Sequence, residues 1–168
     1  EALSSGKILT DKEILRIVIT EFKKEEYEEK SQELKKGWVG VGEDFLKKLE
    51  TLGLPLEREY EVLFTKYGVG GSYGLPNNIQ INFAYTRDIL SITLHEIIHL
   101  TVEELIKKYD IDHWTKERLV DLIYGRFFPE GQRLQDDPDQ AEKIHKIFDS
   151  FFPNIEKVIT EVSLIPKI

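Results

Sequence analysis

Residues 89–106 read Ile89-Leu90-Ser91-Ile92-Thr93-Leu94-His95-Glu96-Ile97-Ile98-His99-Leu100-Thr101-Val102-Glu103-Glu104-Leu105-Ile106, a run too long for one strand and apolar on nearly every face of a helix. Such a helix is covered by protein on most sides, so the rest of the chain must fold around it. Thr86 or Asp88 supplies its N-cap. His95, Glu96 and His99 are the conspicuous polar groups within it, and each needs a partner to offset lost hydration. Residues four apart on a helix stand one above the other, which sends both imidazoles to the same side about 6 Å apart. One tetrahedral zinc would satisfy both rings, and Glu96, beside the metal rather than on it, is placed to take a proton from water. A pair of core histidines bonded to backbone and carboxylates is the plainer reading of the same H-E-x-x-H pattern.

Two histidines leave a tetrahedral metal one protein ligand short. Glu103 lies on the same helix but about 12 Å along the axis from His95, too far to close on a metal held between the two rings. Tyr109 to Asp112 makes a short connection, after which Leu119, Val120, Leu122, Ile123 and Phe127 mark a second helix that the turn brings back against the first. Glu117 and Asp121 share a face of it. Glu117 is the best third ligand, with His113 and Asp121 as alternatives; Asp121 is otherwise suited to accept the second ring N–H of a zinc-bound histidine. Lys116 and Arg118 also allow this face to be a solvated one.

Upstream, Thr10-Asp11-Lys12-Glu13 forms a capping box, followed at helical spacing by Ile14, Leu15, Val18, Ile19 and Phe22. A Glu- and Lys-rich solvated extension runs from Glu21 to Lys36. Gly37, Gly40 and Gly42 are expected to break it, and Phe45, Leu46, Leu49 and Leu52 to form a short second helix ending at Gly53 and Pro55. Tyr60, Val62 and Phe64, then Ile79, Ile81 and Phe83, alternate with polar residues, which predicts two strands pairing as a hairpin about the loop from Tyr67 to Asn77. That loop holds four glycines within Tyr67-Gly68-Val69-Gly70-Gly71-Ser72-Tyr73-Gly74. With no G-K-[ST] and no helix following, it reads as a mobile hairpin tip rather than a phosphate cradle. Downstream, Asp137 with Pro138 opens a helix carrying Ala141, Ile144, Ile147, Phe148 and Phe151. Pro153 then resets the chain for a last helix with Ile155, Val158, Ile159 and Val162.

The expected class is therefore α+β, a small mixed or antiparallel sheet packed on the buried HExxH helix with a mostly helical C-terminal part. At 168 residues the chain suits one domain. Residues 1–58 would supply N-terminal helices, 59–128 the strands with the two site helices, and 129–168 a reduced helical lobe. Hydrophobic residues at 40% and charged residues at 32% are the balance of a globular protein. The 23 basic against 31 acidic side chains, net -8, argue against a nucleic-acid partner. No uninterrupted apolar run reaches the roughly 18 residues that cross a bilayer, and the N-terminus has neither a basic start nor an apolar signal core. A cytoplasmic setting without membrane partners is the expectation, with a removed leader left open. Lacking cysteine, the chain can offer a metal only His, Asp or Glu.

His95-Glu96-Ile97-Ile98-His99 followed by Glu117-Arg118-Leu119-Val120-Asp121 resembles the H-E-x-x-H plus E-x-x-x-D pattern of the gluzincin, thermolysin-like zinc metallopeptidases, in a compact minigluzincin-like form. Lys116 stands where that family often has Asn, Val120 where it often has a small residue, and no G-x-M-E-N segment occurs. The resemblance implies that His95, His99 and Glu117 bind zinc, that Glu96 is general base and acid, and that Asp121 supports a ligand. It implies peptide-bond hydrolysis of a peptide or protein substrate, with the strand from Asn78 to Ala84 pairing with the substrate and Gln80 and Asn82 turned towards cleft or solvent. An oxyanion partner would come from His113, Tyr124, Tyr109, His145 or Arg133. The rival class is a non-catalytic helical interaction module with a structural or vestigial metal site.

Overall fold

A computed structural model of the chain describes residues 9–86, 88–129 and 140–166. Its elements, in order, are α1 (Asp11–Glu21), α2 (Lys24–Glu50), β1 (Glu61–Thr65), β2 (Gly71–Gly74), β3 (Asn78–Asn82), α3 (Ile89–Lys108), α4 (His113–Phe127), α5 (Ala141–Phe151) and α6 (Ile155–Ser163). The class is α+β, with a mixed sheet as expected.

Thr10 closes the capping box on Glu13, and α1 begins where the sequence places it. The helix ends at Glu21 instead of running on into the charged extension, because Phe22 turns extended and its ring meets Tyr27 at 4.9 Å. The restart at Lys24 then runs without interruption to Glu50, so Gly37, Gly40 and Gly42 do not break a helix. Each glycine costs a helix about 1 kcal/mol relative to alanine, a cost that tertiary packing overrides here. A Cβ on Gly37 would lie 3.1 Å from the Leu90 side chain, and one on Gly42 only 2.1 Å from the Trp38 ring. Two of the three glycines therefore admit a neighbour rather than end the helix.

The sheet departs further from expectation. β1 and β3 are not a hairpin: they run parallel, with Val62 opposite Ile79 and Phe64 opposite Ile81. The glycine-rich stretch supplies β2, which lies antiparallel on the far side of β3, giving the order β1-β3-β2. The chain crosses from one edge of the sheet to the other before turning into its centre, which is how two parallel strands are joined here without a helical crossover. Strand β3 ends at Asn82, and Phe83, expected within it, sits in the following turn with its ring 4.9 Å from that of Tyr27. Asn82 faces inward, its amide donating to Gly68 O at 2.8 Å and its carbonyl oxygen accepting from Ala84 N.

Asp88 caps α3 by accepting from Ser91 N, and the helix buries Ile89, Leu94, Ile97, Ile98, Leu100, Val102 and Ile106. Each such side chain withdrawn from water stabilises the fold by about 1.5–3 kcal/mol. The buried cluster continues through Phe45 and Leu49 of α2, Ile79 and Ile81 of β3, Leu119 and Ile123 of α4, Phe148 of α5 and Val158 of α6. Asp112 caps α4 after the short connection, accepting from Trp114 N and Thr115 N. Gln140 is the N-cap of α5; the expected cap Asp137 and Pro138 lie outside the described residues. Ile155, Val158, Ile159 and Val162 are all buried on α6, as their spacing predicts. Among the described residues no helix is long and apolar enough to cross a membrane.

Candidate metal centre

α3 and α4 face each other across the polar residues that the apolar run enclosed. His95 and His99 point their Nε2 atoms at one another, 3.1 Å apart, from successive turns of α3. Glu117, one turn into α4, brings Oε2 to 3.3 Å from His99 Nε2 and 3.7 Å from His95 Nε2. Among the described residues these three side chains form a group whose donor atoms all lie within 4.8 Å. Ligand atoms about 2.0–2.1 Å from a tetrahedral ion are about 3.3 Å from one another, so the three separations match what one such ion requires. The donor set, two imidazole nitrogens and one carboxylate oxygen, suits a borderline divalent metal.

The alternatives for the third position fall elsewhere. Asp121 Oδ1 is 3.7 Å from His95 Nδ1, on the side of the ring away from the cluster, where it can fix the tautomer that leaves Nε2 free. His113 Nδ1 lies 3.7 Å from Glu117 Oε1, the oxygen that does not face the histidines. Glu103 reaches Tyr73 and Lys107 instead. Nor is this face of α4 a solvated one: Glu117, Arg118 and Asp121 are all buried.

Electrostatics follow from this crowding. Burial opposes charge on Glu117, but contact with both histidines outweighs it and holds the carboxyl well below its ordinary range. His99 is pushed down by burial, whereas the acids Glu117, Glu96 and Asp121 overcome burial at His95 and raise it. Glu96 is raised to about 7, first by burial and then by the negative charge of Glu117, while His95 and Lys116 pull against the rise. Strand β2 explains the burial: an added Cβ on Gly71 would stand 2.5 Å from Glu96 Oε1, so the strand can cover that carboxylate only with a glycine there.

Several expected residues are not at the centre. Tyr124 carries its ring to 6.4 Å from His95, but its hydroxyl makes a short hydrogen bond with Ser91 Oγ. His113 flanks the cluster with its side chain 63% exposed and is the most accessible of the four oxyanion candidates among the described residues. His145 stands on α5 with its Nε2 buried and unpartnered among the described residues. Tyr109 turns to Glu156, and Arg133 lies outside the described residues. β3 is the central strand, hydrogen-bonded on both sides, so Asn78, Gln80 and Asn82 have no free edge to offer an extended peptide. The edge strand against α3 is β2.

Two residues at the centre were not marked as site residues by the sequence. The Tyr73 ring lies parallel to His99, 4.8 Å away and inclined by 9°. Its hydroxyl donates to Glu103 at 2.6 Å and accepts from Lys116 Nζ at 3.0 Å. Tyr73 sits in the glycine-rich stretch, where no periodicity marks it. Lys116 shows only as a residue out of keeping with the gluzincin pattern. No protein-family model, curated protein or solved structure matches the chain.

Proposed function

We propose that the protein is a zinc-dependent metallopeptidase of gluzincin type, with His95, His99 and Glu117 holding the metal. The observation that carries this reading is the convergence of His95 Nε2, His99 Nε2 and Glu117 Oε2 at the spacing of tetrahedral ligands, with the buried Glu96 carboxyl alongside. Three protein ligands leave a fourth position for water or substrate, whereas a structural zinc site is closed by four. Held there, zinc supplies Lewis acidity, lowering the pKa of water and polarising the scissile carbonyl.

Glu96 accepts the proton that the attacking water gives up as its oxygen bonds to the carbonyl carbon. It returns that proton to the departing nitrogen as the C–N bond breaks. Without metal, burial raises this carboxyl to about 7; beside a bound dication it is drawn towards the ionised form that accepts the proton. Asp121, 3.7 Å from His95 Nδ1, is placed to orient that ring. An extended substrate adds to the outer edge of β2, in place of the β3 pairing that the family resemblance implies, because β2 has an open edge and covers α3 at Glu96 and His99.

Zinc content and cleavage of a mixed peptide library, measured on wild type beside Glu96→Gln, test this. The expected result is zinc in both proteins and cleavage by wild type alone. Zinc in both with cleavage by neither would overturn the peptidase reading and leave a non-catalytic metal-bearing module.

A further inference from the structure

The two histidines of the cluster are held in different ways. His95 has Asp121 behind its Nδ1. His99 has no counterpart: its Nδ1 is buried and without a hydrogen-bond partner among the described residues. A buried imidazole with one nitrogen on a metal and the other unbonded has nothing on that side to fix the rotation of its ring. What lies against it instead is Tyr73, stacked face to face at 4.8 Å. The phenol is itself immobilised at its far end, between the Glu103 carboxylate on α3 and the Lys116 ammonium on α4.

Resting on the metal-site reading above, we propose that Tyr73 is the positioning residue of His99. Its ring, pinned at the hydroxyl by Glu103 and Lys116, sets the imidazole plane that Asp121 sets for His95 through a polar contact. The geometry has a further consequence. Tyr73 belongs to the edge strand β2, so strand and ligand share one side chain. Lys116 Nζ is also 3.7 Å from Glu117 Oε1, which links the same phenol to the third ligand. Any displacement of β2 is felt at two of the three metal-binding residues. By linkage, a ligand that settles β2 tightens metal binding by the same factor that the metal tightens its own binding.

The test compares Tyr73→Phe, which keeps the stacked ring and loses the pin, with Tyr73→Leu, which loses both. Zinc affinity is read by competition with a chromophoric chelator, and ligand geometry by the visible absorption of the cobalt(II)-substituted protein. Melting of the metal-free proteins controls for folding. Affinity is expected to fall in the order wild type, Phe, Leu, with Leu weaker by about 10–100-fold, the range for removing a partner that orients a metal ligand. The cobalt spectrum should be kept in Phe and altered in Leu. Zinc affinity within twofold of wild type for both variants, with an unchanged cobalt spectrum, would overturn the proposal while leaving the metal site intact. Should Tyr73→Leu lose its cooperative melt, Tyr73→Phe decides alone: a loss of several-fold supports the pin, and wild-type affinity overturns it. A wild-type chain that binds neither zinc nor cobalt would instead overturn the metal-site reading on which the proposal stands.

Discussion

Glu96 sits in an environment that opposes its own charge. Its carboxyl rises from an ordinary 4.5 to about 7 because β2 closes over it and Glu117 stands near. A carboxyl raised on folding binds a proton more tightly in the folded chain, so its ionisation costs stability. That cost is absent below about pH 4, grows between 4.5 and 7 and is complete above 7. In chelator, Glu96→Gln is therefore expected to melt higher than wild type at pH 8, by an amount worth at most about 3 kcal/mol, and equally near pH 4. Thermal melts at the two pH values check this. A variant gaining equally at both would show that ionisation is not the cause. Asp121 makes a separate case, since it approaches His95 at the outer nitrogen, Nδ1, and not at Nε2. Asp121→Ala should weaken zinc by about 10–100-fold, measured by chelator competition, with Glu117 still able to close the ligand set. The HExxH residues and Glu117 were legible because helical spacing and turn length convert directly into position.

At the scale of elements, glycines carry most of the difference between what the sequence predicts and what the fold contains. Gly40 on α2 faces open space, while Gly42 lies under the Trp38 ring. Gly40→Ala should raise stability by about 1 kcal/mol, and Gly42→Ala should lower it, since the added Cβ displaces the indole. Denaturant unfolding of the two variants separates a helix tolerating glycine from one packed through it. On β2, an alanine at Gly71 would press on both Glu96 Oε1 and Ile92 Cγ2 at 2.5 Å. Gly71→Ala is expected to cost about 1–3 kcal/mol and to depress peptide cleavage more than Gly40→Ala does. β2 escaped the sequence reading because four residues, two of them glycine, carry no alternation. A strand is then defined by its partner, and β3 alone has the pattern. α1 shows the converse: its periodic apolar residues Ile14, Leu15, Val18 and Ile19 form the expected helix yet remain exposed, as does Phe22 at its C-cap, because periodicity reports a face and not what covers it.

Across the whole molecule, the site joins α3, α4 and β2, so metal binding should stabilise the folded chain as a unit. Zinc at one hundred times its dissociation constant contributes about 2.7 kcal/mol, visible as a rise in melting temperature that a chelator reverses. The rise should shrink as pH falls below neutrality, because both imidazoles must be unprotonated to bind. His95, held above its ordinary value by Glu117, Glu96 and Asp121 despite burial, protonates first. A zinc-dependent rise of equal size at pH 5 and pH 8 would argue against a histidine site.

The sequence by itself determined the α+β class, the buried helix around which the core forms, the capping box at Thr10, and the placing of His95, Glu96, His99, Glu117 and Asp121; it left the cap of α3 between Thr86 and Asp88. All of these follow from local periodicity or from a short connection, where a few residues of backbone geometry settle the outcome. Only the tertiary structure decided that β1 and β3 are parallel, that β2 is the edge strand over α3, and that Tyr73 and Lys116 reach the cluster. Those facts depend on which surfaces meet across long stretches of chain, and the free energy of that meeting is spread over side chains that no single segment contains.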